Sequence, residues 1–285
     1  MRRSIIAIST MFSVLMAMPI WAKENSFAQK DASGHLLAYL TEGEDLPQKL
    51  DQSYFGLPNT GLIMSVHQNE GQIKLRFEAE GELTYEAPVA LSLDPKAKVS
   101  AWPMFVKLNG LTPEQGYAYL LGVVVERSAG YSGGGASERW LHLLRVDNPG
   151  AEAVRAREVL TLPLTADKLI RACFSEQDEK TRQDVCHDHY EFEAFLRLDE
   201  KHQGDWPAFV YQTQANAQPD PKALSGKTSG QSLATEDLAR KGDLACSFQS
   251  QVQFNPMSRR YEMASPGPDC SDYFVPTTER LYSQK

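Results

Sequence analysis

The chain has 285 residues, 42 % of them apolar, and carries 29 basic against 37 acidic side chains for a formal net charge of −8. That length supports one large β domain or two smaller ones, each with its own core. The acidic balance, with no local basic patch against it, excludes nucleic acid as an expected partner and disfavours anionic lipid.

The first element is a leader. In "MRRSIIAISTMFSVLMAMPIWA", Arg2 and Arg3 precede an apolar stretch from Ile5 to Pro19 and a small residue at Ala22, the layout of a cleaved secretory signal over residues 1–22. Cleavage after Ala28 is the alternative. The mature chain, 23–285, keeps 27 basic and all 37 acidic residues, a net charge of −10. Its first cysteine is Cys173, so no lipid anchor is expected behind the signal. The longest later apolar run, "YLLGVVV" at 119–125, is far short of the roughly 20 residues that cross a bilayer, so no membrane insertion is expected after cleavage. No N-x-S/T acceptor occurs, which favours a bacterial periplasm, with release from the cell as the alternative.

Strand signals then follow one another along the chain: "HLLAYL", "GLIMSVHQ", "QIKLRFEAE", "GELTYEAPVALSL", "WPMFVKL", "YAYLLGVVVE", "WLHLLRV", "VLTLPL", "YEFEAFLRL", "PAFVYQTQA", "CSFQSQVQF" and "RYEMA". In "QIKLRFEAE", Ile73, Leu75, Phe77 and Ala79 share one side while Lys74, Arg76, Glu78 and Glu80 share the other. Such a sheet has one wet face, which favours antiparallel pairing. "HQNEGQ" around Gly71 and "FNPMSRRY" around Asn255 and Pro256 predict hairpins. Helix signals are few. "SLATEDLARKG" offers Thr235 as a cap, and "TADKLIRA" reads as helix or strand. Residues 127–137 and 214–232 read as loops, and "DNPG" at 147–150 is the boundary if there are two subdomains. The expected fold is mainly β, with antiparallel sheets in a sandwich or small propeller-like arrangement and one or two short helices.

Three constellations carry candidate chemistry. Gly130, Tyr131, Ser132, Gly133 and Gly134 spell G-x-S-x-G, the pattern of a hydrolase nucleophile. A nucleophile elbow needs a strand running directly into a helix. Here the preceding strand is expected to end near Val125 or Glu126, and three glycines, Gly133 to Gly135, start a helix poorly. A place in a flexible or glycine-bulged loop between two antiparallel strands is therefore the expected role of Ser132. As a catalyst it would need His187, His189 or His202 as base, with Asp188 or Asp199 to orient it.

In "VCHDHYEFE", His187 and His189 fall on one face of a strand, as metal-binding His-x-His pairs do. A third ligand such as His142, His202 or a glutamate would be required. The bland reading is an edge strand beginning beside a disulfide. All four cysteines, Cys173, Cys186, Cys246 and Cys270, lie late in the chain, and an even count in an exported protein reads as disulfides. Of the three pairings the local one, Cys173 with Cys186 and Cys246 with Cys270, is favoured, because each pair brackets a polar, turn-rich segment.

At "YSGGGAS", "IRACFSE", "CHD" and "PDCSDY" the chain resembles uncharacterised exported proteins of Gram-negative bacteria. The resemblance implies a secreted β-rich protein with cysteine staples, and it brings no activity and no site residue. The expected function is a periplasmic, non-enzymatic binding or interaction protein, of inhibitor or immunity type, for an unknown protein or envelope ligand and without a cofactor. The alternative is a periplasmic hydrolase that uses Ser132 or a metal held by His187 and His189.

Overall fold

The computed structural model describes residues 28–42, 54–57, 61–79, 84–91, 93–94, 96–110, 116–150, 154–220 and 232–275. The expected signal segment, 1–22, lies outside them. Strands dominate, and every pair is antiparallel. The larger sheet runs β1 (Ala28–Lys30), β2 (Leu36–Tyr39), β8 (Lys98–Lys107), β9 (Ala118–Tyr131), β10 (Gly134–Asp147), β11 (Arg155–Arg171), β12 (His187–Leu198), β13 (Phe209–Gln218), β15 (Gln249–Asn255) and β16 (Arg260–Met263), with β14 (Lys241–Gly242) also on β13. The smaller runs β3 (Thr41–Glu42), β4 (Tyr54–Leu57), β5 (Leu62–Asn69), β6 (Gln72–Ala79) and β7 (Thr84–Val89). Its outer strand, β7, carries Pro88, as edge strands tolerate.

The alternation in β6 does what it predicts. Ile73, Leu75 and Phe77 are fully buried, while Lys74 and Arg76 stay outside and pair with Glu86 of β7 at 2.9 Å each. The buried side packs with Met64 of β5 against Phe105 of β8, Leu121 and Val123 of β9 and Leu144 and Val146 of β10. Two sheets thus stack face to face, the sandwich of the two arrangements expected. The β5–β6 turn places Glu70 and Gly71 both at positive φ, the geometry of a two-residue hairpin that keeps the strand twist.

A second core lies under the rest of the larger sheet and unites Leu141 and Leu143 of β10, Leu160 and Leu162 of β11, Phe192 of β12, Tyr211 of β13 and Tyr261 of β16. The sheet curls around it without closing. Leu198 N–H of β12 donates to the Gln29 side chain of β1 at 2.9 Å, and Arg260 of β16 reaches Glu158 of β11 at 2.5 Å.

Several expectations change. β9 runs on to Tyr131 and β10 starts at Gly134, so the 127–137 loop shrinks to a two-residue turn. The supposed loop at 214–232 begins as strand, because Thr213, Ala215 and Ala217 point inward with Gln214, Asn216 and Gln218 between them. "TADKLIRA" is strand, the end of β11, up to Arg171. "SLATEDLARKG" yields one turn, α2 (Thr235–Leu238), where the Ala234 N–H donates to Asp237 while the Thr235 hydroxyl bonds Gln183 instead of capping. A helix also stands where only turns were expected, α1 (Glu176–Thr181), with the Ser175 hydroxyl accepting from the Asp178 N–H. Residues 147–150 lie where β10 gives way to the connection to β11, and the two strands pair along their length. Among the described residues no helix is long and apolar enough to cross a membrane.

Candidate functional site

The two disulfides form the local pairs, Cys173–Cys186 and Cys246–Cys270. The second ties the segment after β16 to the turn before β15. From there residues 264–275 run as a strap across the inner face of the larger sheet, through a single 3₁₀ turn at Ser271–Tyr273.

Beneath the strap is a chamber of about 400 Å³. Five aromatic rings, Trp140, Phe192, Tyr211, Phe248 and Phe274, form part of its wall, beside the charged Arg127, Glu138 and Asp269. Phe274 lies 5.4 Å from Trp140 and 5.2 Å from Phe192, ring to ring, in the tilted arrangements aromatic pairs prefer. Among these rings sits a carboxylate. Glu138 is only 1 % exposed, forms an ion pair with Arg127 directly across the β9–β10 ladder, and accepts the Val275 N–H at 2.8 Å.

A bulge on β11 brings that carboxylate against the core residues of β11 and β12. Down β10, Leu143 and Leu141 face Leu160 and Leu162 of β11 and project into the core. Between Arg139 and Trp140 the register shifts by one residue on β11. The residue opposite buried Ala166 is therefore Glu138, of the other parity from the leucines.

The same face continues past Trp140 into a second chamber of about 240 Å³ that shares Arg127 and Trp140 as a wall and adds His142 and Thr161. The His142 Nδ1–H donates to Glu158 at 2.8 Å, and Glu158 is also held by Arg260. Burial alone would push the Glu158 carboxyl up, but the hydrogen bonds and charges of His142 and Arg260 carry it down to about 2. It is therefore an ionised anchor that orients the ring. Among the described residues His142 Nε2 makes no hydrogen bond, and the buried indole N–H of Trp140 has no partner either.

Ser132 lies elsewhere, at the tip of the β9–β10 hairpin. It is exposed, it sits between two strands, and its hydroxyl makes no hydrogen bond among the described residues. Gly133 beside it takes φ +87°, the left-handed turn conformation that glycine supplies. None of His187, His189 or His202 hydrogen-bonds to it.

His187 and His189 do share the outer face of β12, yet the group able to converge on an ion is Asp167, His189 and Glu191, without His187. Asp167 and Glu191 are opposite each other in the β11–β12 register, and the His189 ring lies between them, 2.8 Å from Asp167 and 3.6 Å from Glu191. Arg240 also pairs with Glu191.

The chamber residues Glu138, Arg127 and Trp140 had no place in the sequence reading. The signal that could have found them is the alternation of Ala136, Glu138 and Trp140, which puts a glutamate on the apolar side. The chain matches no family model, no curated protein and no solved structure.

Proposed function

We propose that this is an exported, non-enzymatic binding protein that holds a small, largely apolar ligand in the chamber under the 264–275 strap. The observation that carries the reading is the chamber of about 400 Å³ that sets five aromatic rings around a carboxylate only 1 % exposed. Small-molecule sites combine apolar walls with a few placed polar groups in this way. The two disulfides support an oxidising compartment, with the periplasm as the favoured location. The neutral fluorophore N-phenyl-1-naphthylamine tests the reading. It should bind saturably at one per chain and lose that binding in Ser271→Phe, which fills the chamber from the strap. Wild-type protein that gives no saturable signal refutes the reading.

A second reading, a metal-dependent hydrolase, is favoured by one observation, the convergence of Asp167, His189 and Glu191 on the outer face of β11 and β12. One nitrogen and two carboxylate oxygens suit zinc or a neighbouring divalent metal. Elemental analysis of protein purified without a histidine tag decides it: stoichiometric metal, lost in His189→Ala, supports the reading, and metal-free protein eliminates it.

A further inference from the structure

In the strand order of the larger sheet β2 and β12 are far apart, yet the curl brings the β1–β2 turn, residues 31–35, against the 199–206 connection between β12 and β13. Side chains make the joint. The Leu198 N–H donates to Gln29 and the Gly204 N–H to the Ser33 hydroxyl, each at 2.9 Å. His35 sits at the centre, 1 % exposed. Its Nε2 lies 3.1 Å from the Gly204 carbonyl oxygen, and its Nδ1 accepts the Asn109 N–H, in the turn after β8, at 2.9 Å. A backbone N–H only donates and a carbonyl only accepts, so the two bonds together require a neutral ring with its proton on Nε2.

The same turn holds a buried acceptor with nothing to accept. Asp31 is 5 % exposed, and its Oδ1 takes the N–H groups of Ser33 and His35 while Oδ2 is buried without a partner. We propose that His35 and Asp31 form an acid-operated latch on this seam of the sheet. The neutral ring holds the seam shut through Asn109 and Gly204, and the protonated ring turns to Asp31 and lets it open. No residue of the joint lines the chamber under the strap, so the latch stands apart from the binding function.

The trigger is a change of hydrogen-bond role. A proton on Nδ1 would point at the Asn109 N–H, and a bond would become a meeting of two donors. Water reaches the ring through a cavity of about 600 Å³ that His35 lines with Arg145, Asp205 and Trp206. The charges around it pull both ways. Asp31 on its own turn and Asp205 on the connection favour the charged ring, while Lys30, whose chain passes Gly34, and Arg145 on β10 oppose it. Arg145 is already engaged by Asp147 and lies over Trp206, Lys107 is turned to the Tyr117 ring, and Asp199 is held by Gln251. The His202 ring lies beside Gly204. Among these groups Asp31 alone is buried with an unpartnered oxygen, which makes it the place for the charged ring to go.

Amide exchange followed by NMR on the full mature chain tests the latch, read as protection factors so that the intrinsic effect of pH drops out. From about pH 8 to about pH 5, protection at Asn109, Gly204 and Leu198 should fall about tenfold, as for the loss of one buried hydrogen bond. Glu158 stays outside this window, because its contribution is lost only below pH 4.5. In His35→Gln the side chain stays neutral and still has a donor for Gly204, so the three amides should keep one level of protection throughout. Asp31→Asn keeps an oxygen for the Ser33 and His35 N–H groups and loses the charge, so the fall should shrink to less than about threefold. A flat wild-type profile overturns the latch. So does a fall that His35→Gln repeats, since acid then acts through another group. A fall confined to Asn109 refutes the opening of the seam, and equal falls in wild type and Asp31→Asn refute Asp31 as the receiving group.

Discussion

Glu138 accepts the backbone N–H of Val275 at 2.8 Å across 137 residues of sequence, and this bond, with the Phe274 ring contacts, fastens the strap at Phe274 and Val275. Replacing Glu138 by alanine removes both the acceptor and the Arg127 partner. The expected cost is about 1–3 kcal/mol in urea unfolding, at the lower end because Arg127, 42 % exposed, regains water. Glu138→Gln keeps an acceptor for Val275. Amide exchange at Phe274 and Val275 should therefore quicken in the alanine variant and much less in the glutamine one. Equal exchange in both would show that the strap is held by something else.

Acid should act through Glu158. Its folded value of about 2 lies below the ordinary 4.5. The stability it contributes is thus present in full above pH 4.5 and is lost as the pH falls toward 2. Urea midpoints measured across that window should decline more steeply for wild type than for Glu158→Gln. Parallel curves would mean that the His142–Glu158–Arg260 group carries no net stability.

The two disulfides should differ in what they protect. By loop length each contributes about 3 kcal/mol to stability. Only Cys246–Cys270 anchors the strap, and Cys270 lines the chamber. Replacing Cys246 and Cys270 together by serine should weaken N-phenyl-1-naphthylamine binding as well as lower the melting temperature. The same change at Cys173 and Cys186 should lower the melting temperature and leave binding in place.

The hairpin tip offers a direct contrast between neighbours. Ser132→Ala should change stability by less than about 0.5 kcal/mol, as exposed positions do, and the wild-type serine should take no fluorophosphonate label. At Gly133 an added Cβ would stand 2.7 Å from the Arg171 Cβ, on a backbone at φ +87°. Gly133→Ala should therefore cost more than about 1 kcal/mol. A labelled Ser132 would restore the hydrolase reading at once.

How far the sequence spoke depended on side-chain contrast. In β6, large apolar residues alternate with charges, and strand, face and partner were all legible. At Gln214–Gln218 the inward positions are Ala215 and Ala217, too small to stand out against glutamine and asparagine, so a strand looked like a linker. α1 was hidden in a polar segment because its single buried residue is Thr181. The chamber was least legible of all. The alternation of Ala136, Glu138 and Trp140 stands in the sequence, but the register shift that sets Glu138 opposite Ala166 is a property of the β10–β11 pairing and has no local signature. The disulfide pairing was readable because each cysteine pair is close in sequence around a turn-forming stretch.

Pro88 gives the smaller sheet a terminus. β7 pairs with β6 on one side, and a proline in that strand removes one backbone donor where an arriving strand would have to bond. Glu86 nearby is already engaged by Lys74 and Arg76. That rim is thus a poorer template for a further strand than an edge without proline would be.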